Sequence, residues 1–253
     1  MSRNFELLDQ LRKTQEMLQT DSEPGIDPVL PSEAFSAAVP TLEIDGATRE
    51  EIGKLVQRLF LLPGMDAVHH VVFSGTEFGD GCSWICARAG EILASQVTSS
   101  VCIVDCSLRA PSLHDQFKVD NHYGLIDALM GDAPIRQYAQ QLSRPNLWLV
   151  SSGVDNSNAQ ELLTSDRMRM RVAELRSQFN YVLMDVAPFN VCNHAMVFGG
   201  LSDGLVLVLK ANSTRRDATR EITQQLQAAN VRMLGAVLNQ RTFPIPGRIY
   251  HKL

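Results

Sequence analysis

Val71-Val-Phe-Ser-Gly-Thr-Glu-Phe-Gly-Asp-Gly-Cys-Ser83 is a short apolar run that ends in a glycine-rich turn, and a helical pattern follows from Ser83 to Ala94. Strand, glycine-rich loop and helix start, in that order, build a phosphate-binding loop. Its backbone N–H groups and the positive end of the helix dipole face one anion. Gly79 and Gly81 let the backbone approach a phosphate, and Asp80, Cys82 and Trp84 complete the expected cofactor-binding set with Ser83, whose hydroxyl stands where it reaches Mg²⁺. The residue before that serine carries the chemistry. A lysine there places a positive charge on the transferred phosphate, and this chain has Cys82.

Outward from the loop, the pattern is strand–helix alternation. Apolar runs predict strands at 68–73, 101–105, 147–151, 180–185, 204–209 and 233–238, and helical spacing falls at 83–94, 124–130, 160–178 and 215–229. Most of the strands are unbroken Val/Ile/Leu/Met runs, as in strands covered on both faces. The expected fold is α/β: a doubly wound, mostly parallel sheet of the P-loop NTPase type, helices on both faces, ligands at the carboxyl ends of the strands. Ahead of it, Thr48 with Glu51 three residues on reads as a capping box, and Ile52, Leu55, Val56 and Leu59 form the stripe of the helix it opens. Residues 1–19 read as an amphipathic helix with Phe5, Leu8, Leu11 and Leu18. Residues 20–47 read as a proline-rich linker, 48–243 as the nucleotide-fold domain and 244–253 as a tail.

Composition narrows the class. The 253 residues suffice for one large domain with an appendage, and 45% hydrophobic content supports its core. A net charge of −5 argues against a nucleic-acid partner. No apolar run approaches the ~20 residues that span a bilayer, and the acidic N-terminus is unlike a signal peptide, so a cytoplasmic location is expected. Five cysteines (Cys82, Cys86, Cys102, Cys106 and Cys192) then read as free thiols.

Two strands end in carboxylates that should converge on the loop. Val101-Cys-Ile-Val-Asp105 and Tyr181-Val-Leu-Met-Asp185 both have the form of a Walker B element, which holds Mg²⁺, although a strand-terminal aspartate more often caps the next turn. With the loop, they make the chain resemble the bacterial tyrosine kinases of capsule and exopolysaccharide synthesis, relatives of the septum-positioning and chromosome-partitioning ATPases. The resemblance spans roughly residues 48–243. Ile103-Val-Asp-Cys-Ser-Leu-Arg-Ala-Pro111 resembles the family's second Walker segment, and His114, Phe117, Asn121 and Gly124-Leu125 follow its spacing. Gly153 with Asn158-Ala-Gln-Glu-Leu-Leu-Thr-Ser165, Asp185-Val-Ala-Pro188 and Gly235-Ala-Val-Leu-Asn239 resemble three further family segments. The resemblance implies Mg²⁺ on Ser83, Asp105 and Asp185, adenine at Asn239, and ATP or ADP as ligand. It also implies a membrane-anchored polysaccharide chain-length regulator or other exopolysaccharide assembly protein as partner. A homo-oligomer, and peripheral attachment at the inner membrane through the partner, go with that reading.

The departures fall on the chemistry. Cys82 replaces the loop lysine, Ser107 replaces the second aspartate of the family's Asp-x-Asp, Val186 replaces a threonine and His194 an aspartate. The final residues carry one tyrosine, Tyr250, where the family has a tyrosine-rich tail, and Arg58 is the arginine near an activation motif otherwise missing from the Thr48 helix. The expected function is therefore a pseudokinase that acts through a partner, with nucleotide bound weakly or not at all. One alternative is an active kinase or ATPase in which Arg109 replaces the lysine and Asp105 and Asp185 remain catalytic. Another is a thiol redox or metal module built on Cys82, Cys106, Cys192, His194 and Asp185, with the Cys82 pKa lowered by the helix N-terminus. His69 and His70 read as packing or turn residues, and Arg167-Met-Arg-Met-Arg171 as a helix with one solvated face.

Overall fold

The computed structural model describes residues 45–62, 68–154 and 159–241. The expected helix at 1–19, most of the linker, Asn158 and the tail with Tyr250 lie outside the described residues. The first described element is α1, Gly46–Val56, continued by a π-helical turn at Gln57–Leu61. It starts earlier than the Thr48 capping box suggests. Asp45 is the N-cap, and its carboxylate accepts from the Thr48 N–H and hydroxyl at 2.9 and 2.8 Å. Thr48 is therefore capped rather than capping, because an aspartate three residues upstream is the stronger acceptor for the open first-turn amides.

Among the described residues, seven strands form one sheet: β1 His70–Gly75, β2 Val101–Asp105, β3 Gln140–Gln141, β4 Leu147–Val150, β5 Tyr181–Val186, β6 Gly204–Lys210 and β7 Met233–Asn239. Their order is β3-β4-β2-β5-β1-β6-β7, and all pairings are parallel except the short β3 against β4. The helices are α2 Cys82–Gln96, α3 Leu113–Phe117, α4 Leu125–Met130, α5 Ala159–Leu162, α6 Asp166–Gln178, α7 His194–Leu201 and α8 Arg216–Ala228, with a 3₁₀ turn at Ile135–Tyr138.

Alternating strand residues feed two separate cores, which is why the apolar runs are continuous. On one face Val71, Phe73, Ile103, Leu183 and Val208 pack under α1 (Ile52, Val56), α2 (Ile85, Leu93) and α3 (Leu113, Phe117). On the other, Val72, Val104, Met184, Leu205 and Leu207 pack under α4 (Leu125, Leu129), α6 (Met168, Leu175), α7 (Phe198) and α8 (Leu226). This is the expected doubly wound sheet with helices on both faces. The loop after β1 lies in the crevice at the strand carboxyl ends, between the exits of β5 and β6.

Several local expectations change. The segment at 160–178 is two helices, because the Ser165 hydroxyl accepts from the Met168 N–H and starts a new helix at Asp166. Arg167-Met-Arg-Met-Arg171 does lie on a helix with one solvated face, where Arg169 and Met170 are exposed, but its last arginine is on the buried side. Met168 is fully buried, while Arg171 is 7% exposed and donates to the carbonyls of Ala128 and Gly131 at 2.8 and 2.7 Å. It pairs with Glu174 at 2.6 Å and so caps the C-terminal end of α4. His69 and His70 do sit at the start of β1. The Asp203 carboxylate accepts both of their backbone N–H groups, and the His69 ring stacks on Tyr181 at 5.0 Å.

Candidate functional site

The loop between β1 and α2 needs its two glycines for different reasons. Gly79 and Gly81 have φ of 88° and 82°, in the left-handed region. At Gly81 space also decides: a Cβ there would stand 2.2 Å from the Asn239 amide nitrogen. That nitrogen donates to the Asp80 carbonyl at 2.9 Å, and Gln240 Nε2 donates to the Gly79 carbonyl at 3.1 Å. The end of β7 therefore grips the loop from one side. From the other side, the Phe189 and Asn190 N–H groups, beyond β5, donate to the Gly75 and Thr76 carbonyls at 3.1 and 3.2 Å.

Inside the loop an acidic side chain occupies some of the amides. Asp80 is buried, and one of its carboxylate oxygens accepts from the N–H groups of Thr76 and Glu77 and from the Thr76 hydroxyl, at 2.8, 2.9 and 2.7 Å. No side chain caps α2. The first-turn N–H groups of Cys82, Ser83 and Trp84 are thus left as donors beside the cavity that these residues line. That cavity, about 290 Å³, is walled by Glu77, Phe78, Gly79, Asp80, Gly81, Cys82, Ser83, Trp84 and, opposite, Ser107, Ala110, Ser112, Gln116, Asp185, Val186 and Pro188. It holds three carboxylates. None of its lining residues is Lys, Arg or His.

The two strand-end aspartates are register partners on adjacent strands, and both are buried. Their surroundings separate them. Asp105 accepts from the backbone N–H groups of Ser107, Ser112 and Leu113 at 3.0, 3.1 and 3.1 Å, so it caps α3 and does not line the cavity. Burial nonetheless raises it to about 6 against those three bonds. Asp185 does line the cavity. Burial, then the neighbouring Asp105, raises it to about 7, while hydrogen bonding from Ser83 and Cys82 pulls the other way. Its Oδ2 is buried without a hydrogen-bond partner.

The remaining expected residues scatter. Arg109 is exposed, lines a separate cavity of about 530 Å³ with Asp120 and His122, and forms no ion pair among the described residues. Asn239 spends its amide nitrogen on the loop and its oxygen on the Gln240 N–H. The Cys82 thiol is pushed well up, not down. Burial comes first, then the neighbouring Asp185, Cys86 and Asp80. Cys86 and Cys106 are buried and also pushed up, chiefly by burial. Cys192 Sγ lies 3.3 Å from His194 Nδ1, and burial, then Arg109, lowers the His194 pKa. Among the described residues, no three His, Cys, Asp or Glu side chains are grouped to hold a metal ion. Reasoning from the sequence missed Glu77, Phe78 and Gln116 as cavity walls. The first two stand in the quoted loop, whereas only the fold brings Gln116 across from α3.

Tested on these residues, a magnesium-bound nucleoside triphosphate fits badly. The helix amides, Ser83 and Asp185 are in place. Among the described residues no cation that would offset the phosphates lines the cavity, Asp80 fills part of the loop, and Asp105 is committed to α3.

No family model matches the chain. It is 28% identical over 161 residues to the tyrosine-protein kinase YwqD of Bacillus subtilis, covering 64% of this chain and 68% of that one. It is 30% identical over 169 residues to the putative tyrosine-protein kinase EpsB of Ralstonia nicotianae, covering 67% of this chain but 22% of EpsB. Among solved structures, the chimerical protein CapA2B2 matches with a TM-score of 0.71 at 24% identity, covering 77% of this chain and 85% of that one.

Proposed function

We propose, for a chain that resembles the bacterial tyrosine-protein kinases in sequence and in fold, a pseudokinase of exopolysaccharide synthesis that acts by binding a partner. The observation that carries this reading is the charge of the loop cavity: Glu77, Asp80 and Asp185 line it, and no lining residue is basic. Phosphoryl transfer depends on cations placed where negative charge gathers, and removing one such contact costs on the order of 10²–10³ in rate. Here the lysine is absent, and the carboxylate expected at 107 is a serine. Nucleotide is then bound weakly or not at all, through the amides of α2 and Ser83. The partner in this reading is the membrane-anchored chain-length regulator that the family resemblance implies, or another assembly protein of the same polysaccharide. The protein stays cytoplasmic and reaches the membrane through it. No helix among the described residues is long and apolar enough to cross a membrane.

The rival with Arg109 as substitute cation finds no support in position, because that side chain lines the other cavity. The test is calorimetric titration of Mg·ATP and Mg·ADP into the protein and into Cys82→Lys, with turnover measured alongside. The expected result is weak or absent binding that the lysine strengthens. Micromolar binding with steady turnover by the native protein would overturn the reading.

A further inference from the structure

Several features of the loop cavity call for a cation. Asp185 is 1% exposed, lines the cavity, and keeps one carboxylate oxygen without a hydrogen-bond partner. A buried carboxylate oxygen left in this way is costly, and the residue type that would satisfy it from position 82 has been replaced by a short neutral thiol. Glu77 adds a second carboxylate at the solvent side. The dipole of α2 opposes a cation with about half a charge, which is less than the Glu77 and Asp185 carboxylates supply together. Asp80, held on the amides of Thr76 and Glu77, reduces it further. Two aromatic rings complete the surroundings: Phe78, 55% exposed, and Trp84 both line the cavity, and aromatic faces attract ammonium and guanidinium groups. At about 290 Å³ the cavity is at the floor of the ~300–1,000 Å³ range of small-molecule pockets, a size suited to one inserted side chain.

We propose that this cavity is a docking socket in which Asp185 and Glu77, flanked by Phe78 and Trp84, take a single Lys or Arg side chain from a polypeptide partner. The proposal rests on the reading of the loop as catalytically silent and says where the partner engages. The inserted ammonium or guanidinium donates to the free oxygen of Asp185, so the partner restores the charge that Cys82 removed. The Gly79–Trp84 segment becomes the contact surface rather than a catalytic device.

The experiment is protein-observed NMR on the full chain. The probes are a blocked pentapeptide with a central lysine, the same peptide with norleucine in its place, and lysinamide alone. The lysine peptide should shift the amides of residues 79–84 and the Trp84 indole in a saturable way, with the norleucine peptide at least tenfold weaker. Asp185→Asn should abolish the response. Cys82→Lys, which supplies a tethered ammonium, should abolish it too and serves if the first variant fails to fold. Equal binding of the norleucine peptide, or undiminished binding to Cys82→Lys, would overturn the socket. Lysinamide binding as tightly as the peptide would make this a free-amine site and overturn docking. Failure of the two readings is distinguishable. Absent peptide binding with absent Mg·ATP binding removes the socket alone, whereas Mg·ATP turnover removes the silent-kinase reading on which it rests.

Discussion

The grip of β7 on the glycine-rich loop can be measured with Gly81→Ala. Two costs are expected at this position. At φ 82° an L-residue pays roughly 1–2 kcal/mol for the left-handed conformation. Its Cβ, 2.2 Å from the Asn239 nitrogen, must also displace that amide and break its bond to the Asp80 carbonyl, a net loss of about 0.5–1.5 kcal/mol. The sum is roughly 1.5–3.5 kcal/mol, or a fall in Tm of about 3–14 °C for a domain of this size. Gly79→Ala is the control. Its φ is 88°, yet a Cβ there meets nothing within 4 Å, so it should pay the conformational cost alone. The decisive assay is a double-mutant cycle by urea denaturation, each alanine alone and with Asn239→Ala. Gly81 and Asn239 should couple by about 0.5–1.5 kcal/mol, and Gly79 and Asn239 by no more than the ~0.3–0.5 kcal/mol expected of independent sites. No coupling at Gly81, or the same coupling at both glycines, would refute the grip.

Three further outcomes can be checked. Asp185→Asn should flatten the pH dependence of stability between pH 5.5 and 8, because a buried carboxyl raised to about 7 favours the folded state when protonated and loses that contribution as pH rises through 7; urea midpoints at both ends of the range test it, and an unchanged slope counts against the raised value. Arg171→Met should cost about 1–3 kcal/mol, since it strips the buried donor from the Ala128 carbonyl and leaves the Gly131 carbonyl with Arg167 and Glu174 with the Ile135 N–H, and a change in unfolding free energy of less than ~0.5 kcal/mol would remove its role as the α4 cap. Cys82 should alkylate at least tenfold more slowly than a free thiol at pH 7.5, read by mass spectrometry of its peptide; faster reaction would mean that the helix dipole outweighs burial and Asp185 after all.

The strands were legible because both faces are covered. A run such as Val101-Cys-Ile-Val-Asp105 has no polar alternation to hide it, and its residues divide between the two cores. The elements that escaped lack a period. α3 is five residues long, β3 has two, and α7 is apolar nearly all round with two glycines. In the site, the loop itself was readable from its glycines, but the use of each side chain was not. Asp80 turned inward onto its own amides and Asp105 onto those of α3. Asn239 reached for a loop carbonyl 159 residues away in sequence. Local sequence gives residue type and spacing; which acceptor a carboxylate finds depends on the segment that the fold lays beside it. The Cys82 pKa went astray for the same reason, since the dipole is visible in the pattern and the buried Asp185 opposite is not.

Glycines, grip and acidic walls together explain how the loop keeps its shape with no phosphate bound. The backbone of the loop is held by Asn239, Gln240, Phe189 and Asn190, and none of these contacts depends on a phosphate. Asp80 offers the loop amides an internal anion, so an empty loop does not leave those donors unsatisfied. A lysine at 82 would bring a counter-charge to Asp185, whereas the thiol there hydrogen-bonds the carboxylate without neutralising either it or a phosphate and leaves Oδ2 open. On the reading proposed above, the acidic walls Glu77 and Asp80 disfavour a polyphosphate where a kinase attracts one, and the open oxygen of Asp185 is the acceptor that a partner's cation would satisfy.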